Sequence, residues 1–448
     1  MREHVVLLSI PALREQDLAH MPQLSSLMGD GDRAPMAASL PAVTCPVQVN
    51  MTTGLPPAGH GITSNGLWDR ERRELEMWTA WNDKVEAPQI WDRMHEFDPS
   101  LTAAAWFPLY AKGCGADYVC WPAPKHEPDG SESLWCYTKP EGMYQELLDE
   151  LGHFPLQHFW GPMANIKSTE WIVTSAIRCA ERFKPNFFYV YLQHLDYASQ
   201  KLGPDSPEAI AALGELDAEI GRLADGFRAA YGDDQHILWL AASEYVVTPV
   251  DHVVYPNRVL REAGLTTITL DDDGKERLDL KASQAWALAD HQHAHVYVRD
   301  RDAATIQKVV ELFKNREGVA EVLGADEQAK HEIAHDRTGD VVLVSEPNSW
   351  MAYYYWLDDE KAPAFARQVD IHRKTGYDPV EMHVDMAAMK AGLGPIPLDA
   401  SLVCGSHGAP PREERQRGVM LSSERGVFVE RTLADVDVCE MVLRQFGV

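Results

Sequence analysis

The sequence predicts an α/β protein with a mostly parallel central sheet, helices on both faces and a small α+β cap. Three short apolar runs, at 5–10, 187–192 and 237–241, have the length and the β-branched or aromatic content of buried strands. Between the last two runs, apolar residues at 207–231 recur every three or four positions, as they do in an amphipathic helix. Strand, helix and strand in this order are typical of a parallel sheet covered by helices.

The length of the chain predicts more than one structural unit. At 448 residues, 45% of them hydrophobic, the chain exceeds the roughly 250–300 residues at which a single core stops growing. Residues 295–350 combine short apolar strands with a helix at 303–315, which is typical of a small α+β unit. We therefore predict a main domain at 1–290, a cap at 291–365 and a return to the main domain at 366–448.

Charge and the length of the apolar runs argue against two classes of partner. The net charge is −27 and no run of five Lys or Arg occurs, which argues against binding to a nucleic-acid duplex. No apolar segment reaches the ~18 residues that a membrane span needs, and the run at 5–10 is too short for a signal peptide. The seven cysteines form no CxxC pair, which indicates reduced thiols and a cytoplasmic protein. The sequence leaves open whether the protein forms a homo-oligomer.

The first segment whose residues could carry out chemistry is 40–65, LPAVTCPVQVNMTTGLPPAGHGITSN. Here a strand is expected to run through a tight turn that holds Thr44 into a helix. A hydroxyl at that junction lies on the carboxyl edge of the sheet, where open α/β folds bind ligands, and the amide groups of the new helix face an anion there. The alternative is that Thr44 only caps the helix, a common role for threonine.

An acidic side chain also follows each of the two later strands. Asp196 comes after the run at 187–192, with Gln200 four residues further on, and Glu244 comes after the run at 237–241. A carboxylate at the carboxyl end of a strand, with a second ligand one helical turn later, is a common way to hold a cation. The alternative for Asp196 is a helix cap. His407, in VCGSHGAP, lies beside a glycine turn, where a lone histidine is often structural.

These segments, in this order, resemble the nucleotide pyrophosphatase/phosphodiesterase branch of the alkaline phosphatase superfamily. The pattern PxxTxP…TGxxPxxHGIxxN of that branch matches residues 41–65 without a gap. The resemblance implies the superfamily fold, with a metal site at the carboxyl ends of the strands. It also implies a hydrolase of a phosphomonoester or phosphodiester, acting on a small phosphorylated substrate, in which Thr44 attacks phosphorus and ligates a metal.

The resemblance also implies two sets of metal ligands, which this chain retains only in part. The first-ion set is Asp196, Gln200 and His407, and the second-ion set is Pro11, Thr44, Glu244 and Tyr245. Gln200 and Tyr245 stand where the branch has histidines, and Pro11 stands where it has an aspartate. We therefore expect one tightly held divalent cation, or a rearranged pair. Zinc is expected, with manganese and magnesium as alternatives because the set is rich in oxygen.

Other residues are candidates to replace the missing groups. Tyr245 or Gln48 would donate to a phosphoryl oxygen. Further candidate ligands of a metal or a substrate are His60, His194, His291, Asp370, His372, Arg373 and Lys374. Arg373 and Lys374 could hold an anionic group. The alternative for the clusters around His291 and His372 is a surface histidine or a salt-bridged loop, and the alternative for His194 is a buried, hydrogen-bonded histidine. Two functional alternatives also stay open: a one-metal lyase, isomerase or non-phosphate hydrolase acting on a small metabolite, and a non-catalytic binder.

Overall fold

The computed structural model describes residues 3–126 and 132–448. Its strands are β1 (His4–Ile10), β2 (Arg33–Ala37), β3 (Gly66–Asp69), β4 (Glu74–Met77), β5 (Ala103–Trp106), β6 (Tyr118–Pro122), β7 (Lys125–His126), β8 (Glu132–Ser133), β9 (Cys136–Lys139), β10 (Phe187–Tyr191), β11 (Ile237–Ser243), β12 (Thr248–Pro249), β13 (His252–Val254), β14 (Ile268–Leu270), β15 (Glu276–Leu278), β16 (Ala285–Asp290), β17 (His293–Val298), β18 (Val319–Leu323), β19 (Val341–Ser345), β20 (Ser349–Met351), β21 (Gly405–Ser406), β22 (Gly418–Ser422) and β23 (Leu433–Ala434). Its α-helices are α1 (Pro22–Met28), α2 (Thr44–Thr53), α3 (Pro57–His60), α4 (Ile90–Phe97), α5 (Met143–Leu151), α6 (Lys167–Phe183), α7 (His194–Leu202), α8 (Pro207–Tyr231), α9 (Pro256–Glu262), α10 (Ala303–Phe313), α11 (Ala325–Lys330), α12 (Met386–Lys390) and α13 (Asp437–Phe446).

The central sheet has nine strands in the order β23-β2-β22-β11-β1-β10-β5-β6-β9. Its middle five strands, β11 to β6, are parallel, whereas β22 and β9 pair antiparallel with their neighbours. Ser9 of β1 lies beside Tyr191 of β10, and Ile10 lies beside Ser243 of β11. The three strands therefore end together, so the loops that follow them meet at one edge of the sheet.

Helices cover both faces of this sheet. On one face, the ring of Phe188 packs 5.0 Å from Phe227 of α8, and Trp106 Nε1 donates to Ser175 Oγ of α6 at 2.9 Å. Because side chains alternate along a strand, Tyr191 points to the opposite face, where it approaches Thr44 of α2. The α/β class, the mostly parallel centre and the two helical layers predicted from the sequence are confirmed.

A second unit is built on an antiparallel sheet with the order β16-β17-β19-β18. Helix α10 packs on β18 and β19, as the α+β pattern predicted. The unit has its own hydrophobic core, which draws residues from Val250 to Val403 and is separate from the core of the large sheet. The domain boundaries at 291 and 365 stay predictions.

Two further features bear on the sequence expectations. All seven cysteines are free thiols, and six of them are buried. Within residues 3–126 and 132–448, the structure contains no helix with the length and apolar character required to cross a bilayer.

Candidate active site

Thr44 is the first residue of α2 and lies at the carboxyl edge of the large sheet, only 5% exposed. The N-cap of this helix is Val43, so Thr44 does not serve as the cap. The Thr44 hydroxyl lies 2.9 Å from the phenol oxygen of Tyr245. The next amide group, that of Cys45, donates to Asn65 Oδ1 at 3.0 Å, which fixes the start of the helix.

Asp196 and Gln200 lie one turn apart on α7, and both are buried. The N-cap of α7 is Gln193, so Asp196 lies inside the helix and does not cap it. Each of the two side chains accepts a hydrogen bond from a phenol. Tyr245 donates to Asp196 Oδ2 at 3.3 Å, and Tyr377 donates to Gln200 Oε1 at 2.8 Å. Burial raises the pKa of Asp196 to about 6.

Glu244 follows β11 and is held from two sides. Its Oε1 accepts from Ser9 Oγ at 2.6 Å and from Gln48 Nε2 at 2.7 Å. Gln48 Oε1 in turn accepts from the Leu109 amide at 2.7 Å, so the Gln48 side chain is engaged within the protein. Burial raises the pKa of Glu244 to about 8. Gln48 therefore supports Glu244 and is not free to donate to a substrate. Ser9, the second support of Glu244, was not predicted from the sequence.

Four aromatic rings stack beside these carboxyl groups. The rings of Tyr245 and His407 are 3.6 Å apart and nearly parallel, at 5°. The His407 ring then lies 3.9 Å from the His291 ring at a tilt of 41°, and the His291 ring stacks on Tyr377 at 3.8 Å and 12°. Each imidazole is anchored through Nδ1: that of His407 donates to the Ala42 carbonyl at 2.8 Å, and that of His291 lies 2.6 Å from an Asp290 oxygen.

Asp290 joins separate parts of the chain at this point. It accepts from Ser64 Oγ at 2.7 Å and from the Asn65 amide and side chain, each at 3.0 Å, as well as contacting His291. Burial alone would raise the pKa of Asp290, but the hydrogen bond from His291 and its charge hold that pKa well below its usual range. Asp290 thus links the motif that carries Thr44 to the turn that carries His291.

The remaining sequence candidates have partners elsewhere. His60 bonds Asn50, His194 bonds Glu215, His372 bonds the Met77 carbonyl, and Asp370 pairs with Arg373. Lys374 is buried, with its ammonium 2.7 Å from Asp378 and 2.5 Å from Glu381. Because two carboxyl groups already surround it, Lys374 is placed to neutralise them rather than to hold a substrate anion.

The donor atoms fit one cation position better than the other. Asp196 Oδ1 and His407 Nε2 are 3.9 Å apart, both are buried, and neither has a hydrogen-bond partner in the described part of the chain. The second position fits an ion less well, because Pro11 offers no side-chain donor and Thr44 is bonded to Tyr245, which leaves Glu244 Oε2 as its unpartnered buried donor in the described residues. Within the described ranges, no three His, Cys, Asp or Glu side chains are already grouped to hold a metal.

Comparison with known proteins gives the family. Residues 5–378 match the family model described as type I phosphodiesterase / nucleotide pyrophosphatase. The chain belongs to this family. The membership confirms the resemblance to the nucleotide pyrophosphatase/phosphodiesterase branch that the motifs indicate. An uncharacterized pyrophosphatase/phosphodiesterase of Schizosaccharomyces pombe is 22% identical over 256 residues, which cover 55% of this chain and 45% of that relative. The match therefore spans less than half of the relative's length.

Solved structures of this fold cover nearly the whole chain. Phosphonoacetate hydrolase from Sinorhizobium meliloti 1021, in complex with phosphonoacetate, is similar with a TM-score of 0.64 and 17% identity, over 99% of this chain and 96% of that one. Murine ectonucleotide pyrophosphatase/phosphodiesterase 5 is similar with a TM-score of 0.60 and 14% identity, over 99% and 95%. At such identities the likeness shows the fold of this phosphodiesterase-family chain and not its substrate.

Proposed function

We propose that this chain hydrolyses a small phosphomonoester or phosphodiester, with Thr44 as the attacking residue and one divalent cation held by Asp196 and His407. The observation that carries the proposal is the position of the Thr44 hydroxyl, buried at the sheet edge and 2.9 Å from Tyr245, which itself bonds Asp196. Two similar proteins act as precedents. Phosphonoacetate hydrolase was solved with phosphonoacetate, and the murine enzyme was solved with AMP as an inactive threonine-to-alanine variant.

The hydrogen bonds around Tyr245 give the Thr44 proton a path. Tyr245 donates its proton to Asp196 Oδ2, so the Thr44 hydroxyl donates to the Tyr245 oxygen. As the Thr44 oxygen bonds to phosphorus, its proton moves to Tyr245, the phenol proton moves to Asp196, and the bond to the leaving oxygen breaks. The leaving oxygen takes a proton from solvent. Water then attacks phosphorus and gives a proton to solvent, the bond between Thr44 and phosphorus breaks, and Asp196 returns its proton through Tyr245 to the Thr44 oxygen, which restores the hydroxyl and releases the phosphate product.

The start of α2 limits which amide can stabilise the phosphoryl charge. The Cys45 amide is already bonded to Asn65, and residue 46 is a proline without an amide proton. The Thr44 amide is therefore our candidate for holding the developing charge. A divalent cation held by Asp196 and His407, zinc being favoured by an imidazole ligand, would supply Lewis acidity toward a phosphoryl oxygen.

The decisive experiment compares Thr44→Ala with Thr53→Ala, a matched loss of a buried hydroxyl at the other end of α2. Thr53 Oγ1 donates to the Val49 carbonyl at 2.7 Å and accepts from the Leu55 amide at 3.2 Å, so both of these partners are local. Turnover of p-nitrophenyl phosphate and bis-p-nitrophenyl phosphate should fall at least about 1,000-fold in Thr44→Ala and stay within about threefold in Thr53→Ala. A folded Thr44→Ala protein that retains wild-type turnover would exclude the covalent mechanism.

A second candidate function follows from the second cation position, where Pro11 offers no side-chain donor and Tyr245 offers a poor one. An enzyme with one ion and altered chemistry, such as a lyase, an isomerase or a non-phosphate hydrolase, would also use Asp196 and His407. Metal content separates the alternatives when it is measured together with turnover. One ion per chain with no cleavage of either ester favours the altered chemistry, whereas no ion and no turnover favours a binder.

A further inference from the structure

We propose that His291 is the third protein ligand of the single cation, in the place that the family fills with a histidine and this chain fills with Gln200. The proposal rests on the function proposed above, because it takes Asp196 and His407 as the other two ligands. His291 lies far from both of them in sequence, in the two-residue turn between β16 and β17.

The first argument is the way in which the imidazole of His291 is anchored. Its Nδ1 lies 2.6 Å from an Asp290 oxygen, so Nδ1 carries the proton and Nε2 keeps its lone pair. Histidines that ligate metals almost always donate their other ring nitrogen to a carboxylate or a backbone carbonyl, which fixes the tautomer. His407 has the equivalent bond to the Ala42 carbonyl at 2.8 Å, so both imidazoles are held in the same way.

The second argument is position. His291 is 2% exposed, and its ring centroid lies 3.9 Å from that of His407. The Asp196 Oδ1 atom in turn lies 3.9 Å from His407 Nε2, so His291 and Asp196 both lie close to the same imidazole. His291 is therefore next to His407, whose Nε2 atom, like the neighbouring Asp196 Oδ1, has no hydrogen-bond partner in the described residues.

The third argument is that the backbone holds the two histidines in register. The Gln292 amide donates to the His407 carbonyl at 2.8 Å, and the Met351 amide donates to the His291 carbonyl at 2.7 Å. His291 itself has a φ of +57°, a left-handed conformation that costs free energy for a residue with a side chain. The fold thus keeps the His291 imidazole beside His407 in spite of an unfavourable backbone.

The fourth argument concerns Gln200. Its Oε1 already accepts from the Tyr377 phenol at 2.8 Å, and an amide oxygen is a weak zinc ligand. The ring of Tyr377 stacks on His291 at 3.8 Å, so the tyrosine that donates to the Gln200 oxygen also supports the histidine. Asp196, His291 and His407 would offer the cation two imidazoles and one carboxylate, and binding would have to draw together donor atoms that the described residues do not yet group.

The test is zinc binding to the full chain after removal of metal with a chelator. Zinc content and affinity would be measured by elemental analysis and calorimetry, and cobalt would be used for its visible ligand-field spectrum. Wild type should bind one ion, and His291→Ala should weaken zinc binding at least about 100-fold and change the cobalt spectrum. His295→Ala, a buried histidine on the same hairpin, should bind zinc like wild type.

A rescue variant keeps the test decisive if His291→Ala folds poorly. Gln200→His in the His291→Ala background restores an imidazole on α7, so it should recover most of the lost zinc affinity. A folded His291→Ala protein with wild-type zinc affinity and an unchanged cobalt spectrum overturns the role of His291. That result leaves the Thr44 mechanism intact, because Thr44→Ala is scored by turnover. A wild-type chain that binds no ion overturns both this proposal and the cation in the proposed function.

Discussion

Tyr245 occupies a position where the family has a histidine, and a phenol changes what this position can do. Its oxygen contacts Thr44 at 2.9 Å and Asp196 at 3.3 Å, while its ring lies flat on His407. A phenol with its pKa raised far above 10 by burial is a poor metal ligand but a good hydrogen-bond donor. At the scale of the residue, the histidine that the motif resemblance implies is replaced by a phenol that can orient the Thr44 hydroxyl, the proposed nucleophile.

This exchange predicts the effect of removing one oxygen atom. Tyr245→Phe keeps the ring on His407 but breaks the link between Thr44 and Asp196, so kcat for the phosphoester substrates should fall about 10- to 100-fold. Zinc content should not change, because the phenol is not one of the proposed ligands. Steady-state kinetics would measure the effect.

The control for this prediction is Tyr377→Phe. It removes another buried phenol, one that bonds Gln200 and does not contact Thr44. Its kcat should stay within about threefold of wild type. If Tyr245→Phe and Tyr377→Phe behave alike, the proposed proton path through Tyr245 is wrong.

At the scale of elements, the site depends on the hairpin of β16 and β17 meeting the loop that follows β21. Gly408 makes this approach possible, since its φ is +121° and a Cβ there would lie 3.0 Å from the Gln292 amide nitrogen. Gly376 does the same on the other side, where a Cβ would lie 1.9 Å from the Ala289 carbonyl oxygen. Both glycines allow loops to come close enough for the rings of His407, His291 and Tyr377 to stack.

The Gly408 contact predicts a measurable cost. Gly408→Ala should lower the free energy of unfolding by about 2–3 kcal/mol and weaken zinc binding, because the new methyl group pushes the turn at 291 away from His407. Gly426→Ala is the matched control, with a φ of +78° and open space around its Cβ. Urea unfolding should show a loss of only about 1 kcal/mol there. Equal losses in both variants would mean that backbone strain, and not the contact, causes the effect.

At the scale of the whole molecule, a chain with a net charge of −27 buries several histidines in neutral form. His60 and His295 are clear cases, since burial lowers the pKa of each to about 3. His60 Nε2 lies 2.6 Å from Asn50 Oδ1, and its Nδ1 accepts from the Ile62 amide at 3.1 Å. Both imidazoles are used as uncharged parts of the interior, and His60 is therefore a structural residue.

These histidines predict how stability depends on pH. In the unfolded chain they gain protons below a pKa of about 6.5, while in the folded chain they stay neutral until about pH 3. Each therefore lowers the free energy of unfolding by up to about 1.4 kcal/mol per pH unit as the pH falls through this window. Well above pH 6.5, neither histidine lowers the free energy of unfolding by this mechanism.

His60→Gln should reduce this loss of stability, and urea unfolding at pH 7 and pH 5 would measure the difference. His372→Gln, at an exposed position, should keep the slope of wild type. A His60→Gln slope equal to that of wild type would show that His60 is protonated in the folded state over this range.

The sequence by itself determined the fold class and the family, and it identified four residues that the structure brings together. Thr44, Asp196, Glu244 and His407 could be selected because each follows a strand or lies in a short motif whose spacing carries information. The carboxyl ends of neighbouring parallel strands share one edge, so side chains that follow such strands must meet. This reasoning needs only the order of elements along the chain.

Only the tertiary structure decided which of the remaining candidates join them. His291 and His372 were equally plausible in the sequence, but one lies against His407 and the other bonds the Met77 carbonyl. The sequence makes Lys374 a candidate anion ligand, yet its side chain is buried between Asp378 and Glu381. The reason is physical: contacts between a hairpin turn and a distant loop depend on side-chain packing and on close backbone approach, and neither leaves a periodic trace in the sequence.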